Sequence, residues 1–179
     1  MRSFLAIDLP EDVVDGLTRL QAMLPAGRVV PPENLHLTLA FLGDQSEEQL
    51  ELLHDELRAV SVMAFDLRFS GLGCFGAPRP ATLFAEIAEC AALGALHAKL
   101  HSLIRRSGMS LPRDRFRPHV TLARFRKGGD PAVGHRFLEL HGNTQLPGFT
   151  ACGMSLWQSR LHRDGAQYDR LADYAFRPG

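Results

Sequence analysis

The chain has 179 residues, a mass of 19.8 kDa and ordinary globular composition, 45% hydrophobic and 22% charged. That excludes disorder over most of its length and leaves room for one domain or two small lobes sharing a core. Basic and acidic residues balance at 20 each, which argues against a protein that coats nucleic acid indiscriminately. No apolar run approaches the roughly 18 residues that span a bilayer.

Ser3–Asp8 alternates well enough for a strand, and its early acid is wrong for a secretion signal. Val13, Leu17, Leu20 and Leu24 are spaced for a helix over Pro10–Leu24, which Pro25-Ala26-Gly27 ends. Pro31-Pro32 marks a loop, and His36–Leu42 is a strand closed by Gly43-Asp44. Ser46-Glu47-Glu48-Gln49 has the form of a capping box and predicts a helix to about Val60. Ala64–Leu72 reads as a strand, Gly73–Pro80 as a loop, Thr82–Ala88 as a strand and Ala91–Ser107 as a helix. Arg117–Arg126 is a strand, and Gly128-Gly129-Asp130-Pro131 turns into a short helix ending near Leu140. Phe149–Gln158 and Tyr168–Phe176 are the last strands, joined by a polar loop at Arg163-Asp164-Gly165. Mixed strands and helices without a glycine-rich phosphate loop predict an α+β fold.

The neutral balance hides an asymmetry. Residues 1–90 carry 6 basic and 14 acidic side chains, and residues 91–179 carry 14 and 6. The densest basic stretch runs from Arg105 to Lys127, through Arg106, Arg113, Arg115, Arg117, Arg124 and Arg126, with only Asp114 opposed. Either this field attracts a phosphate-bearing ligand, or its members pair with acids of the other half. Cys74, Cys90 and Cys152 are too few and scattered for a disulfide framework and read as small buried hydrophobes in a reducing cytoplasm.

The most informative feature is a repeat. His36-Leu37-Thr38-Leu39-Ala40-Phe41-Leu42 is echoed by His119-Val120-Thr121-Leu122-Ala123-Arg124-Phe125, one copy in each half of the chain. In a strand, positions i and i+2 share a face, so each His and Thr point together while the aliphatics point to the core. Such a face is common for one half-exposed strand; its repetition is not. Two facing imidazoles titrate near neutral pH, so one can take a proton from water while the other gives one to a leaving oxygen. In-line displacement at phosphorus needs acid and base on opposite sides, and threonine hydroxyls and an arginine can hold the non-bridging oxygens.

These motifs resemble those of the two-histidine phosphoesterase superfamily, and more closely the bacterial RNA 2′,3′-cyclic phosphodiesterases, often labelled 2′-5′ RNA ligases. The resemblance extends to Arg2-x-Phe4-x-Ala6, to Leu35 before the first motif and Phe41-Leu42-Gly43 within it, to Phe116-x-Pro118 before the second, and to Ser159-x-Leu161-x-x-x-Gly165-x-x-Tyr168. It implies one bilobal domain over residues 1–179: two pseudo-symmetric lobes, each an antiparallel sheet with helices, around a central V-shaped cleft. It also implies metal-independent opening of a 2′,3′-cyclic phosphate to a 2′-phosphate. His36 would be the proton donor to the departing 3′-oxygen and His119 the proton acceptor from water. Thr38, Thr121 and Arg124 would bind phosphate, and Phe41 would stack on the terminal base. Read from the residues alone, the two histidines are interchangeable.

Two of these roles strain the strand pattern. Phe41 and Arg124 each lie five positions after their histidine, and strict alternation puts them on the opposite face. Either a bulge or strand end turns them inward, or Phe41 packs in the core and Arg124 forms a rim salt bridge. Elsewhere, His97 and His101 have i, i+4 spacing but no evident third metal ligand and read as a solvated helix face. His54, His135, His141 and His162 read as isolated surface or loop residues, although His162 could approach the cleft. Tyr168 either packs or closes the site from below, and Arg79, between two prolines, reads as an exposed loop residue, although it could reach RNA. The expected partners are RNA ends or small cyclic nucleotides, without cofactor, metal, membrane or obligate protein partner, for a monomer. ATP is not expected to be required. Rival readings are another cyclic or 2′-5′-linked phosphate, such as ADP-ribose 1″,2″-cyclic phosphate, or a non-catalytic module that binds RNA or nucleotides.

Overall fold

A computed structural model describes residues 1–76, 80–111, 115–126, 130, 132–162 and 165–179, the side chain of His162 excepted. Arg79, Arg113, Lys127 and parts of the expected turns at Gly128-Gly129 and Arg163-Asp164 lie outside these residues, as does any approach of His162 to the cleft. Strand β1 is Arg2–Asp8, buried from Ser3 to Ile7. Helix α1, Glu11–Ala22, buries Val13, Leu17, Leu20 and Gln21 and carries Glu11 and Asp12 at its N-terminus, where acids complement the helix dipole. A two-residue strand β2, Arg28–Val29, follows, in the stretch left unassigned between Pro25-Ala26-Gly27 and Pro31-Pro32. A single 3-10 turn at Pro32–Asn34 leads into β3, His36–Asp44. Helix α2, Glu47–Arg58, begins with the capping box read from the sequence: the Gln49 amide donates to Ser46 Oγ and the Ser46 amide to Gln49 Oε1.

The expected strand over Ala64–Leu72 is two strands in different sheets, β4 (Phe65–Leu67) and β5 (Phe69–Phe75). β5 continues through residues expected to be loop because its glycines serve packing. A Cβ at Gly73 would meet the Phe84 ring at 2.6 Å, and one at Gly71 (φ +130°) would meet the Gly142 carbonyl oxygen at 2.7 Å. β6 (Thr82–Ile87), α3 (Ala91–Arg106), β7 (His119–Arg124) and α4 (Ala132–His141) come next. The first of the two expected C-terminal strands breaks at Cys152 into β8 (Phe149–Ala151) and β9 (Gly153–His162); β10 spans Gly165–Ala175.

The fold is α+β, with four helices among the described residues. An eight-stranded sheet has the order β10-β9-β1-β3-β7-β6-β5, with β2 also on β7, and every pairing is antiparallel. β4 and β8 form a separate antiparallel pair. The helices bury their leucine stripes, Leu50, Leu53 and Leu57 on α2 and Leu93, Leu96, Leu100, Leu103 and Ile104 on α3. These join Leu37, Leu39, Val120 and Leu122 in one hydrophobic cluster. The opposite face of the central strands is left for polar chemistry. Among the described residues no helix is long and apolar enough to cross a membrane.

Candidate functional site

The two repeated motifs are the central strands β3 and β7, and they meet at one register pair, Leu37↔Val120. These are equivalent positions, each following its histidine, so antiparallel pairing relates the two motifs by a local twofold. Their exposure patterns match residue for residue: His half-buried, the next residue buried, Thr half-buried, then a buried Leu-Ala doublet, then an exposed residue.

That doublet is a β-bulge in both copies. Against β1, Ala6 faces Thr38 and Leu5 faces Ala40, so Leu39 is the extra residue. Against β6, Phe84 faces Thr121 and Leu83 faces Ala123, so Leu122 is the extra residue. The added residue resets the alternation. Phe41, opposite Phe4, joins the face of His36 and Thr38, and Arg124, opposite Thr82, joins the face of His119 and Thr121. Phe41 is 61% exposed rather than packed in the core. Arg124 has no carboxylate within salt-bridge distance among the described residues. The buried Gln21 holds the second bulge: its Nε2 donates to the Leu122 and Val30 carbonyls, both at 2.8 Å.

Each imidazole is oriented in the same way. His36 Nδ1 donates to the Asn34 carbonyl at 2.8 Å and His119 Nδ1 to the Arg117 carbonyl at 2.7 Å. A carbonyl only accepts, so Nδ1 carries the proton in both rings and Nε2 is the nitrogen not tied to that carbonyl. Each ring sits in an aromatic collar. His36 stacks on Phe4 (4.8 Å) and meets the edge of Tyr168 (5.4 Å); His119 lies against Phe75 (4.9 Å) and Phe84 (5.1 Å). Each also has an acid directly opposite on the next strand, Asp8↔His36 and Glu86↔His119. Tyr168 thus does pack, but its partners are His36 and Phe4.

The family model described as LigT-like phosphoesterase matches residues 7–84. An RNA 2′,3′-cyclic phosphodiesterase of Thermus thermophilus is 34% identical, over 99% of this chain and 91% of that protein. The chain belongs to the LigT-like phosphoesterase family, among the RNA 2′,3′-cyclic phosphodiesterases. The phosphoesterase also matches the crystal structure of E. coli LigT in apo form with a TM-score of 0.79 at 26% identity, over 98% of this chain and 97% of that one. The match to E. coli LigT complexed with 3′-AMP has a TM-score of 0.76 at 27% identity, over 98% and 96%.

Charge breaks the twofold symmetry of the phosphoesterase's site. Burial pushes the His36 pKa below its ordinary value; the Asn34 carbonyl and Asp8 oppose this, and the His119 and Arg124 charges add to it. Burial lowers the His119 pKa too, opposed by the Arg117 carbonyl, but here the leading charge is the cation Arg117, joined by Arg124 and only then countered by Glu86. So the dominant charge beside His36 favours the imidazolium and the dominant charge beside His119 favours the neutral ring. Behind His36, Arg170 bridges Asp8 (3.0 Å) and Asp173 (2.6 Å), while Ser155 Oγ lies 2.9 Å and 2.7 Å from the same two carboxylates. Two carboxylates against one guanidinium leave a net negative charge there. Behind His119, Arg117 and Glu86 pair one to one at 3.1 Å. A cavity of about 230 Å³ beside His36 is bounded by Asp8, Trp157, Tyr168 and Arg170.

Sequence reasoning missed Asp8, Glu86, Asn34, Ser155 and Arg170 because strand pairing brings them to the site. The doublets Leu39-Ala40 and Leu122-Ala123 were the available sign of the bulges, since two consecutive apolar residues break a period of two. The remaining candidates lie elsewhere. His97 stacks on Phe116 at 3.7 Å, and its pKa falls to about 4 through burial and then the His101 charge. Among the described residues no three His, Cys, Asp or Glu side chains group as metal ligands. His54 Nδ1 is 2.9 Å from the Tyr174 hydroxyl, and His141 packs on Phe137. Cys74 and Cys90 are half-buried, but Cys152 is exposed, against the expectation of a buried small hydrophobe. Within the basic stretch Arg106 pairs with Glu56 and Arg117 with Glu86, so part of that field is tied to acids of the other half.

Proposed function

We propose that this phosphoesterase opens 2′,3′-cyclic phosphates at RNA ends or on nucleosides to 2′-phosphates, with His36 as general acid and His119 as general base. The carrying observation is the pair of imidazoles with both Nδ1 atoms tied to carbonyls and opposite charge bias behind them. Water attacks phosphorus in line with the 3′-oxygen while His119 Nε2 takes its proton. The bond from phosphorus to the 3′-oxygen breaks, and His36 Nε2 gives its proton to that oxygen. The product is a 2′-phosphate with a free 3′-hydroxyl; His119 is left charged and His36 neutral, and exchange with solvent restores both. Each proton transfer is worth about 10²–10⁴-fold.

Thr38 and Thr121 donate to the non-bridging oxygens, Arg124 offsets their charge, and Phe41 stacks on the terminal base. The two halves of the sheet act as pseudo-symmetric lobes of one domain about a V-shaped cleft, a reading supported by the Leu37↔Val120 pairing and the matched bulges. With an RNA 5′-hydroxyl in place of water the same attack forms a 2′-5′ linkage, His119 taking the hydroxyl's proton and His36 protonating the departing 3′-oxygen; cleavage of that linkage back to the cyclic phosphate exchanges the two roles. Nucleotide binding by the E. coli LigT neighbour, whose complex holds 3′-AMP, supports a nucleoside phosphate as ligand.

The test is phosphorus NMR of adenosine 2′,3′-cyclic phosphate incubated in EDTA with the wild type, His36→Ala and His119→Ala. A 2′-phosphate that forms with the wild type and fails to form with either variant supports the proposal. Phosphate affinity without turnover points instead to a binding module, and turnover that survives either substitution refutes the mechanism.

A further inference from the structure

The two motifs differ in charge two places before their histidines. Asn34 and Arg117 hold equivalent positions there, and each lends its backbone carbonyl to the Nδ1 of the following imidazole, at 2.8 Å and 2.7 Å. Their side chains do different things. Asn34 is neutral, and its Nδ2 donates to the Ala166 carbonyl at 2.9 Å, which ties β10 to the start of β3. Arg117 is a cation laid over the collar of its own histidine. Its Cζ lies 5.3 Å from the ring centres of both Phe75 and Phe84, the two rings that flank His119, and its Nε lies 3.1 Å from Glu86 Oε1.

The guanidinium is held there from both ends. The Ile87 amide donates to the Pro118 carbonyl at 3.1 Å, which fixes the backbone beside it, and aromatic faces attract a cation. The other charged groups around His119 do not single it out in this way. Arg124 on β7 acts on both histidines, Glu86 on β6 is engaged by Arg117 itself, and His36 on β3 is the partner imidazole. β5 contributes the uncharged ring of Phe75.

We propose that this position divides the labour between the histidines: Arg117 is a positioning residue that makes His119 the proton acceptor by holding a cation against that ring, whereas the neutral Asn34 leaves His36 to keep its proton. An imidazolium is disfavoured beside a fixed guanidinium, so His119 is the ring that stays neutral and ready to take a proton from water. This rests on the phosphodiesterase reading and names the residue that assigns its two roles, which the paired motifs alone leave open.

The experiment follows kcat/KM for adenosine 2′,3′-cyclic phosphate against pH in the wild type, Arg117→Gln and Arg117→Lys, with the titration of each histidine read by proton NMR of its imidazole. Removing the cation, and freeing Glu86, strengthens the hold of His119 on its proton. Below both pKa values the rate is limited by deprotonation of His119. Arg117→Gln therefore lowers kcat/KM on that limb by about three- to fivefold, the worth of a half-exposed charge at this range after solvent screening. The alkaline limb does not fall. Arg117→Lys, which keeps the charge, restores most of the acid limb. A merely structural role depresses both limbs alike, with lysine no better than glutamine; that result, or an acid limb that does not move, overturns the proposal. The NMR titrations keep the two readings apart. The His119 midpoint moves to higher pH in Arg117→Gln and stays near wild type in Arg117→Lys, while His36 shows no such rise. If the wild type turns over no cyclic phosphate, the phosphodiesterase reading fails; a His119 midpoint that still rises in Arg117→Gln supports the hold of Arg117 on that ring, and one that stays in place removes it.

Discussion

Replacing Asp8 by Asn removes the charge facing His36 while keeping the shape of the side chain. Directly opposed side chains on an antiparallel pair put the two charges about 6 Å apart, and at an effective dielectric of about 20 that is roughly 3 kcal/mol. Arg170, 3.0 Å from the same carboxylate, offsets roughly half of this. Asp8 is 40% exposed, and solvent screening reduces the remainder to about 1 kcal/mol, a factor of about five in the ratio of protonated to neutral His36. In the proposed mechanism the active microstate has His36 protonated and His119 neutral. Above both pKa values its population is limited by protonation of His36, so kcat/KM on the alkaline limb falls about fivefold, the same ratio carried into rate. Below both pKa values it is limited by deprotonation of His119, and the acid limb stays where it was. Glu86→Gln is the mirror experiment. It removes the anion facing His119, lowers that pKa and raises activity on the acid limb, leaving the alkaline limb in place. The assay is kcat/KM for a nucleoside 2′,3′-cyclic phosphate across the full pH range. If Asp8→Asn raises the acid limb and Glu86→Gln depresses the alkaline one, the acid and base roles are reversed. If neither limb moves, the charge argument is wrong.

The buried Gln21 amide predicts a structural cost. Gln21→Leu leaves the Leu122 and Val30 carbonyls without that donor and destabilises the protein by about 1–3 kcal/mol, read from urea unfolding. Its effect on rate is larger than that of an equally destabilising change in α2, because the Leu122 bulge places Arg124. Ser46→Ala, whose side chain bonds Gln49 at the start of α2, loses the α2 cap at a cost of about 1 kcal/mol and leaves kcat/KM unchanged; a fall in turnover would contradict that separation. Phe41→Ala raises KM by roughly 1–3 kcal/mol of lost base stacking with kcat little changed, as measured on substrates that share one terminal base; a loss confined to kcat counts against stacking.

Local features were legible in the sequence. The capping box at Ser46, the leucine stripes of the helices and the His36/Thr38 and His119/Thr121 pairs depend on neighbours a few positions away, and each appears where its spacing puts it. The face of Phe41 and Arg124 was ambiguous because it turns on a one-residue bulge; strict alternation sends them to the wrong side, and the Leu-Ala doublets carry the correction. Asp8 and Glu86 were beyond sequence reasoning because their place depends on which strand lies beside which, and in what register. Pairing of β1 with β3 and of β6 with β7 decides that. The end of β5 was hidden for another reason: Gly73 looks like loop punctuation, yet it is a strand position pressed against Phe84.

Replacing the 3′ bridging oxygen of the cyclic phosphate by sulfur tests the division of labour between the histidines most directly. A thiolate leaves without a proton at neutral pH, since a free thiol has a pKa of about 8.5, so the substrate no longer needs a general acid. The account predicts that His36→Ala regains most of the wild-type rate on the sulfur substrate, while His119→Ala stays inactive because water must still be deprotonated. Rescue of His119→Ala in place of His36→Ala, or of neither, would contradict it.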